Sequence, residues 1–181
     1  MNKFITVLTV LIIAINGFSQ NTGEIKWYTF EEALELNAQN PKLIFIDVYT
    51  EWCGWCKKMD AATFKEPYIA KYMNDKYYCV KLDAEGKEPI NYMGKEYTNP
   101  NPDGRRSTHQ IAALLLQNKM SYPSYVFMNE QSKVLTVVKG FITDDKFDPI
   151  IHWFGERAFL TQKFPDYSAT FKSVKEKEIE N

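Results

Sequence analysis

The residues Lys42-Leu43-Ile44-Phe45-Ile46-Asp47-Val48-Tyr49 form a nearly continuous apolar run rich in branched side chains. The run passes straight into Thr50-Glu51-Trp52-Cys53-Gly54-Trp55-Cys56. A strand with one wet face alternates apolar and polar residues. A short, almost unbroken run reads instead as a central strand covered on both faces. The elements around it must supply that cover, and a Cys-x-x-Cys pair must sit at its carboxyl end.

The flanking segments read as alternating strands and helices. Ile25-Lys26-Trp27 is a candidate first strand. Thr29-Phe30-Glu31-Glu32 has the capping-box pattern, and Phe30, Ala33, Leu34 and Leu36 follow a helical period that Asn40-Pro41 stops. Helix is expected from the cysteine pair to about Phe64, and again from Pro67, with Ile69, Tyr72 and Met73 on one face. Lys76 to Leu82 is a second core-type strand. From Glu85 to Thr108 the pattern breaks down into turn chemistry, including Asn99-Pro100-Asn101-Pro102-Asp103-Gly104, with a possible hairpin of 90–92 and 96–98 around Met93-Gly94-Lys95. Ser107 or Thr108 is expected to cap the next helix, which holds Ile111, Ala112, Leu114 and Leu115. Strands at 125–128 and 134–138 follow, then a helix capped by Asp144 or Asp145 and running to about Phe159. Phe164, Tyr167, Phe171 and Val174 suit a last packed helix. Alternation early and a hairpin late predict an α/β fold, a mixed central sheet flanked by helices.

A chain of 181 residues that is 45% hydrophobic can build a core without disulfides. The formal net charge of −1, with no basic cluster, argues against a nucleic-acid partner. Met1-Asn2-Lys3, the uncharged run from Phe4 to Ile15 and the small residues of Gly17-Phe18-Ser19 have the layout of a signal peptide, residues 1–19. The run is short for a membrane span. The expectation is export to a periplasmic, oxidising compartment, with no stable membrane insertion after cleavage. The folded domain is expected over 20–160, with 86–108 inserted and 161–181 a terminal helix or tail.

Cys53, Cys56 and Cys79 are the three cysteines. An odd count does not make a stapled framework and reads as one pair plus one bystander. Cys79, between Tyr78 and Val80 in a core-type strand, reads as a small buried hydrophobe. The pair has three readings: half a metal site, a structural staple, or a redox couple. Zinc usually takes four ligands in closely spaced pairs, whereas Cys79, His109 and His152 are scattered, so no metal site is expected. A strand-to-helix handover aims helix N–H groups at Cys53, favouring its thiolate as nucleophile. Cys56, one turn on, is placed to resolve a mixed disulfide. Gly54 would free the turn, while Trp52 and Trp55 would give an extended partner an apolar landing surface. Lys57 and Lys58 are expected to point away into solvent, and Arg105, Arg106 and His109 to be solvated, with recognition of an acidic partner as their functional alternative.

The segment from Ile46 to Lys57 resembles the active site of the thioredoxin-like superfamily. Asp47 stands six residues before Cys53, as the buried carboxylate of thioredoxins does. Val80-Lys81-Leu82-Asp83 resembles the strand whose lysine approaches that carboxylate. Tyr122-Pro123-Ser124 resembles the cis-proline segment, and Lys139-Gly140 the glycine after the last strand. The long 86–108 connection is similar to elaborations in exported thioredoxin-like proteins with a WCxWCKxM signature. The resemblance implies a thioredoxin fold with an insertion before the helix that precedes the cis-proline. It implies Cys53 as attacking thiol, Cys56 as resolving thiol, Asp47 as proton acceptor and Lys81 as its tuner. Trp52, Gly54, Trp55, Tyr122 and Pro123 would meet the substrate. The cysteines would be the redox centre without an organic cofactor. Protein thiols or disulfides would be the substrates, with a membrane electron donor or oxidant as redox partner. The reading is an exported thiol-disulfide oxidoreductase, a reductase first, with an oxidase or isomerase of the same fold as the alternative because Trp55 stands where thioredoxin has proline. Non-catalytic interaction and metal-binding modules remain as other classes.

Overall fold

A computed structural model describes residues 23–174. Residues 1–19, where a signal peptide is expected, lie outside them. In chain order the elements are β1 (Trp27–Tyr28), α1 (Phe30–Gln39), β2 (Leu43–Tyr49), α2 (Gly54–Ala61), α3 (Pro67–Lys76), β3 (Tyr77–Asp83), β4 (Ile90–Tyr92), β5 (Lys95–Tyr97), α4 (Gln110–Leu115), β6 (Ser124–Met128), β7 (Val134–Lys139), α5 (Asp144–Gly155) and α6 (Phe164–Thr170).

Five strands form one sheet in the order β1-β3-β2-β6-β7, with β2 at its centre. β2 runs parallel to β3 and antiparallel to β6, so the sheet is mixed. Side chains of β2 alternate between its two faces. Ile44, Ile46 and Val48 pack with Phe30 and Ala33 of α1 and Ile111 and Leu115 of α4. Phe45 faces the other way, among Met59 of α2, Ile69 and Met73 of α3, and Phe147 and Ile151 of α5. The Phe45 ring stacks on Tyr125 and meets Phe127 edge-on, with centroids 5.8 and 5.3 Å away. Asp47 has the parity of Phe45. The pleat therefore sends its carboxylate toward the layer that holds the cysteine helix.

Local signals set several boundaries. Thr29 accepts from Glu32 N while the Glu32 side chain accepts from Thr29 N, closing the capping box. Pro67 opens α3, where its missing N–H costs nothing. Other boundaries differ from the sequence expectation. The small hairpin turns on two residues, Met93 and Gly94, both at positive φ, so Lys95 belongs to β5 and pairs with Tyr92. That matches the twist of a tight hairpin better than a three-residue loop. α4 is capped by His109, whose Nδ1 accepts from Ile111 N, rather than by Ser107 or Thr108. α2 stops at Ala61, and a separate 3-10 turn covers Thr63–Lys65. α5 stops at Gly155 instead of Phe159, because Arg157 turns left-handed at φ 59°. A Cβ on Gly155 would come within 2.5 Å of the Tyr72 hydroxyl, so the helix end needs glycine for close packing.

Candidate active site

β2 ends at Tyr49, the short segment 50–52 carries the chain to Cys53, and α2 begins at the next residue. Cys53 caps α2, its Sγ accepting from the Cys56 N–H at 3.1 Å. Cys53 and Cys56 are joined by a disulfide of 2.10 Å, and both are buried. Gly54 takes ordinary helical geometry, and a Cβ there would touch nothing within 4 Å. The turn therefore does not require its conformational freedom, which corrects that expectation.

Asp47 is 1% exposed. Its Oδ2 accepts from Lys81 Nζ at 2.6 Å, an approach set by the parallel pairing of Asp47 with Lys81 across β2 and β3. Its Oδ1 is buried without a hydrogen-bond partner. Burial pushes the Asp47 carboxyl up to about 6, and the Lys81 ammonium only partly opposes this. Lys81 also donates to Asp60 of α2. Asp60 was not singled out from the sequence. Its signal was the four-residue step from Cys56, which places both on one helix face. A cavity of about 270 Å³ brings Cys56, Lys57, Asp60 and Lys81 together beneath Tyr49, Thr50 and Glu51. Asp47 is not part of its wall and reaches it through the Lys81 ammonium.

The two tryptophans flank the pair at 53% and 57% exposure. Trp52 donates its indole N–H to Glu85 Oε1 at 3.0 Å and meets the Tyr122 ring edge-on at 5.9 Å. Trp55 lies against Phe141, 5.6 Å between centroids. Lys58 does not point away: its Nζ stands 5.0 Å over the Trp55 ring and 4.8 Å over Phe141. The Tyr122–Pro123 peptide is cis. Pro123 precedes Ser124, which pairs with Val48, so it sits at the sheet end from which the cysteine loop departs. Gly140 N donates to Pro123 O at 2.9 Å from a φ of +88°, a conformation that favours glycine.

The inserted connection is an organised wall. Asn99 is buried and its Nδ2 lies within hydrogen-bond distance of the Glu85, Gly86 and Ser107 carbonyls, while its Oδ1 accepts from Asn101 N and Ser107 Oγ. His109 is fully buried, with Nε2 3.1 Å from Glu88 O, so it is a structural cap rather than a solvated recognition group. Arg106 stands over Trp52 at 5.3 Å. Cys79 is buried, its Sγ 3.9 Å from Met73 O, and burial pushes its thiol well above the ordinary range.

Residues 18–148 match the Thioredox_DsbH family, described as "Protein of unknown function, DUF255". The chain belongs to that family. An uncharacterized protein of Caenorhabditis elegans is 32% identical to it over 70 residues, 38% of this chain and 10% of the worm protein. The match thus spans a small part of that relative's length. Among solved structures, a thioredoxin from Thermus thermophilus superposes with a TM-score of 0.54 at 14% identity, covering 72% of this chain and 87% of that one. A thioredoxin-fold protein from Helicobacter pylori gives 0.56 at 9% identity, covering 84% and 94%. The fold is a thioredoxin fold, with the β4–β5 hairpin and the Asn99 loop inserted between β3 and α4. Among the described residues, no helix is long and apolar enough to cross a membrane, and no group of three or more His, Cys, Asp or Glu side chains could hold a metal ion.

Proposed function

We propose that this protein is a thiol–disulfide oxidoreductase that exchanges disulfides with protein substrates through Cys53 and Cys56, working as a reductase. The observation that carries the reading is the pair at the start of α2 with a buried, lysine-linked carboxylate behind it. In the reduced protein the Cys53 thiolate attacks one sulfur of a substrate disulfide. The substrate S–S bond breaks, its second sulfur leaves as a thiolate, and a Cys53–substrate disulfide forms. Cys56 then loses its proton toward the Asp47–Lys81 group and attacks Cys53 Sγ, releasing the first substrate sulfur. Two electrons have passed to the substrate, and two protons end on its thiols. The protein is left with the Cys53–Cys56 disulfide.

A carboxyl near 6 is mostly ionised at neutral pH yet still basic enough to take a proton, which suits the resolving step. Trp52, Trp55 and the Tyr122–Pro123 backbone would hold the substrate segment, with Gly54 leaving the approach to Cys53 open. Resetting the reductase needs an external dithiol, and a membrane electron donor is the class that fits an exported protein. The Lys3, Phe4–Ile15 and Gly17-Phe18-Ser19 pattern supports export.

The test is the reduction potential of the couple, equilibrated against glutathione or dithiol buffers. A value at or below roughly −230 mV supports the reductase. A value above roughly −180 mV turns the assignment to an oxidase or isomerase. A Cys53→Ser variant that kept full exchange activity would remove the reading altogether.

A further inference from the structure

Each exposed indole beside the disulfide carries a cation on its face. Arg106 lies 5.3 Å from the Trp52 ring centre, and Lys58 lies 5.0 Å from that of Trp55. Neither cation belongs to an ion pair among the described residues. Of the carboxylates around the site, Glu85 accepts the Trp52 indole N–H and Asp60 pairs with Lys81. Asp83 accepts the Glu85 N–H, and Glu51 lines the same cleft as Lys57.

The insertion supplies one of the two cations and holds it in place. Asn99 ties the Glu85–Gly86 leg of the loop to the Ser107 leg, so the carboxylate on the Trp52 edge and the guanidinium on its face come from one buried hub. Arg106 sits at φ 58°, uncommon for a residue other than glycine. The second cation comes from α2 and is seated on two aromatic rings, Trp55 and Phe141.

We propose that Arg106 and Lys58 are specificity-determining residues, and that the partner is an extended protein segment bearing acidic side chains on both sides of its cysteine. The proposal rests on the exchange function given above. The indole faces take the apolar body of the segment, and the two cations, already laid along those faces, meet carboxylates that flank the sulfur. Such a rim acts on partner choice and on the rate of encounter more than on the chemical step.

The experiment compares two synthetic peptides that differ only in the residues flanking a central cysteine, Asp on both sides or Lys on both sides. Each is presented to the reduced protein as a mixed disulfide with an aromatic thiol, and the exchange rate is read at about 0.05 M salt, where the Debye length exceeds 10 Å. In parallel, serine-containing versions of the peptides are titrated into the oxidised protein by tryptophan fluorescence, which reads docking without any redox step. The expected result is a preference of roughly fivefold for the acidic peptide, as two rim ion pairs supply. It should shrink in high salt and invert in an Arg106→Glu/Lys58→Glu protein. An absent preference, or one that survives the double reversal, overturns the proposal. If neither peptide exchanges, the oxidoreductase reading fails, while the fluorescence ratio still decides the docking surface.

Discussion

Lys81 Nζ lies 2.6 Å from Asp47 Oδ2, while Oδ1 of the same carboxylate is buried with no hydrogen-bond partner. One ammonium thus serves a deeply buried carboxylate at one side and Asp60, on the cysteine helix, at the other. Burial outweighs the attraction of Lys81 and leaves Asp47 near 6, above the ordinary carboxylate range.

That shift has a stability consequence. The native state keeps the Asp47 proton up to about pH 6, while an unfolded chain has released it above 3.8. Folding stability from this group is therefore full below pH 3.8, falls as the pH rises toward 6, and is lower by about 3 kcal/mol above it. Asp47→Asn should unfold at higher urea than the parent protein at pH 8. The difference should close as the pH approaches 4, and urea titrations across that range measure it.

Removing either neighbour of Asp47 should move its titration in opposite directions. Lys81→Met takes away the group that lowers it, so the carboxyl should titrate above 6. Asp60→Asn takes away a like charge that raises it, so titration should shift down. Carbon-13 NMR of the Asp47 carboxyl reads both. The pH at which mixed disulfides resolve should follow the same two shifts.

Cys56→Ser should accumulate mixed disulfides with native partners on non-reducing gels, and Cys53→Ser should accumulate none. A Cys56→Ser protein that turned over catalytically would show that resolution does not need the second cysteine.

The thiol of Cys79 is buried and held protonated, so it should resist alkylation in the folded, reduced protein while Cys53 reacts. Adding denaturant should expose it. Peptide mass mapping after iodoacetamide treatment distinguishes the two sites.

Asn99→Ala leaves three loop carbonyls and the Ser107 hydroxyl without their shared partner. A loss of about 2 kcal/mol is expected for such a buried hub. Trp52 fluorescence should shift as the Glu85 and Arg106 contacts loosen, even where the global fold persists.

Features written in local chemistry were legible before the fold was known. The Thr29 capping box, the Pro67 helix start and the apolar β2 run each depend on residues within a turn or a strand of one another. The β2 run led correctly to a central strand ending at the cysteines. The end of α5 at Gly155 was missed because it follows from the left-handed turn at Arg157, while the Tyr72 ring that packs on Gly155 comes from far off in the chain. His109 looked solvated because its burial follows from its N–H bond to Ala84 O and from the Glu88 carbonyl, contacts made only when the insertion folds back. Asp60 had a sequence signal in its spacing from Cys56, but spacing alone does not reveal which lysine it meets.

The sequence by itself determined the alternation of strand and helix, the place of Cys53 at the handover between them, and the parity that puts Asp47 on the face of Phe45. Those follow from backbone periodicity and from which side chains avoid water. Only the tertiary structure decided that Lys81 bridges Asp47 and Asp60, and that Arg106 and Lys58 lie on the two tryptophans. Such contacts join residues on separate elements. Their distances are set by strand register and loop closure, which no local pattern carries.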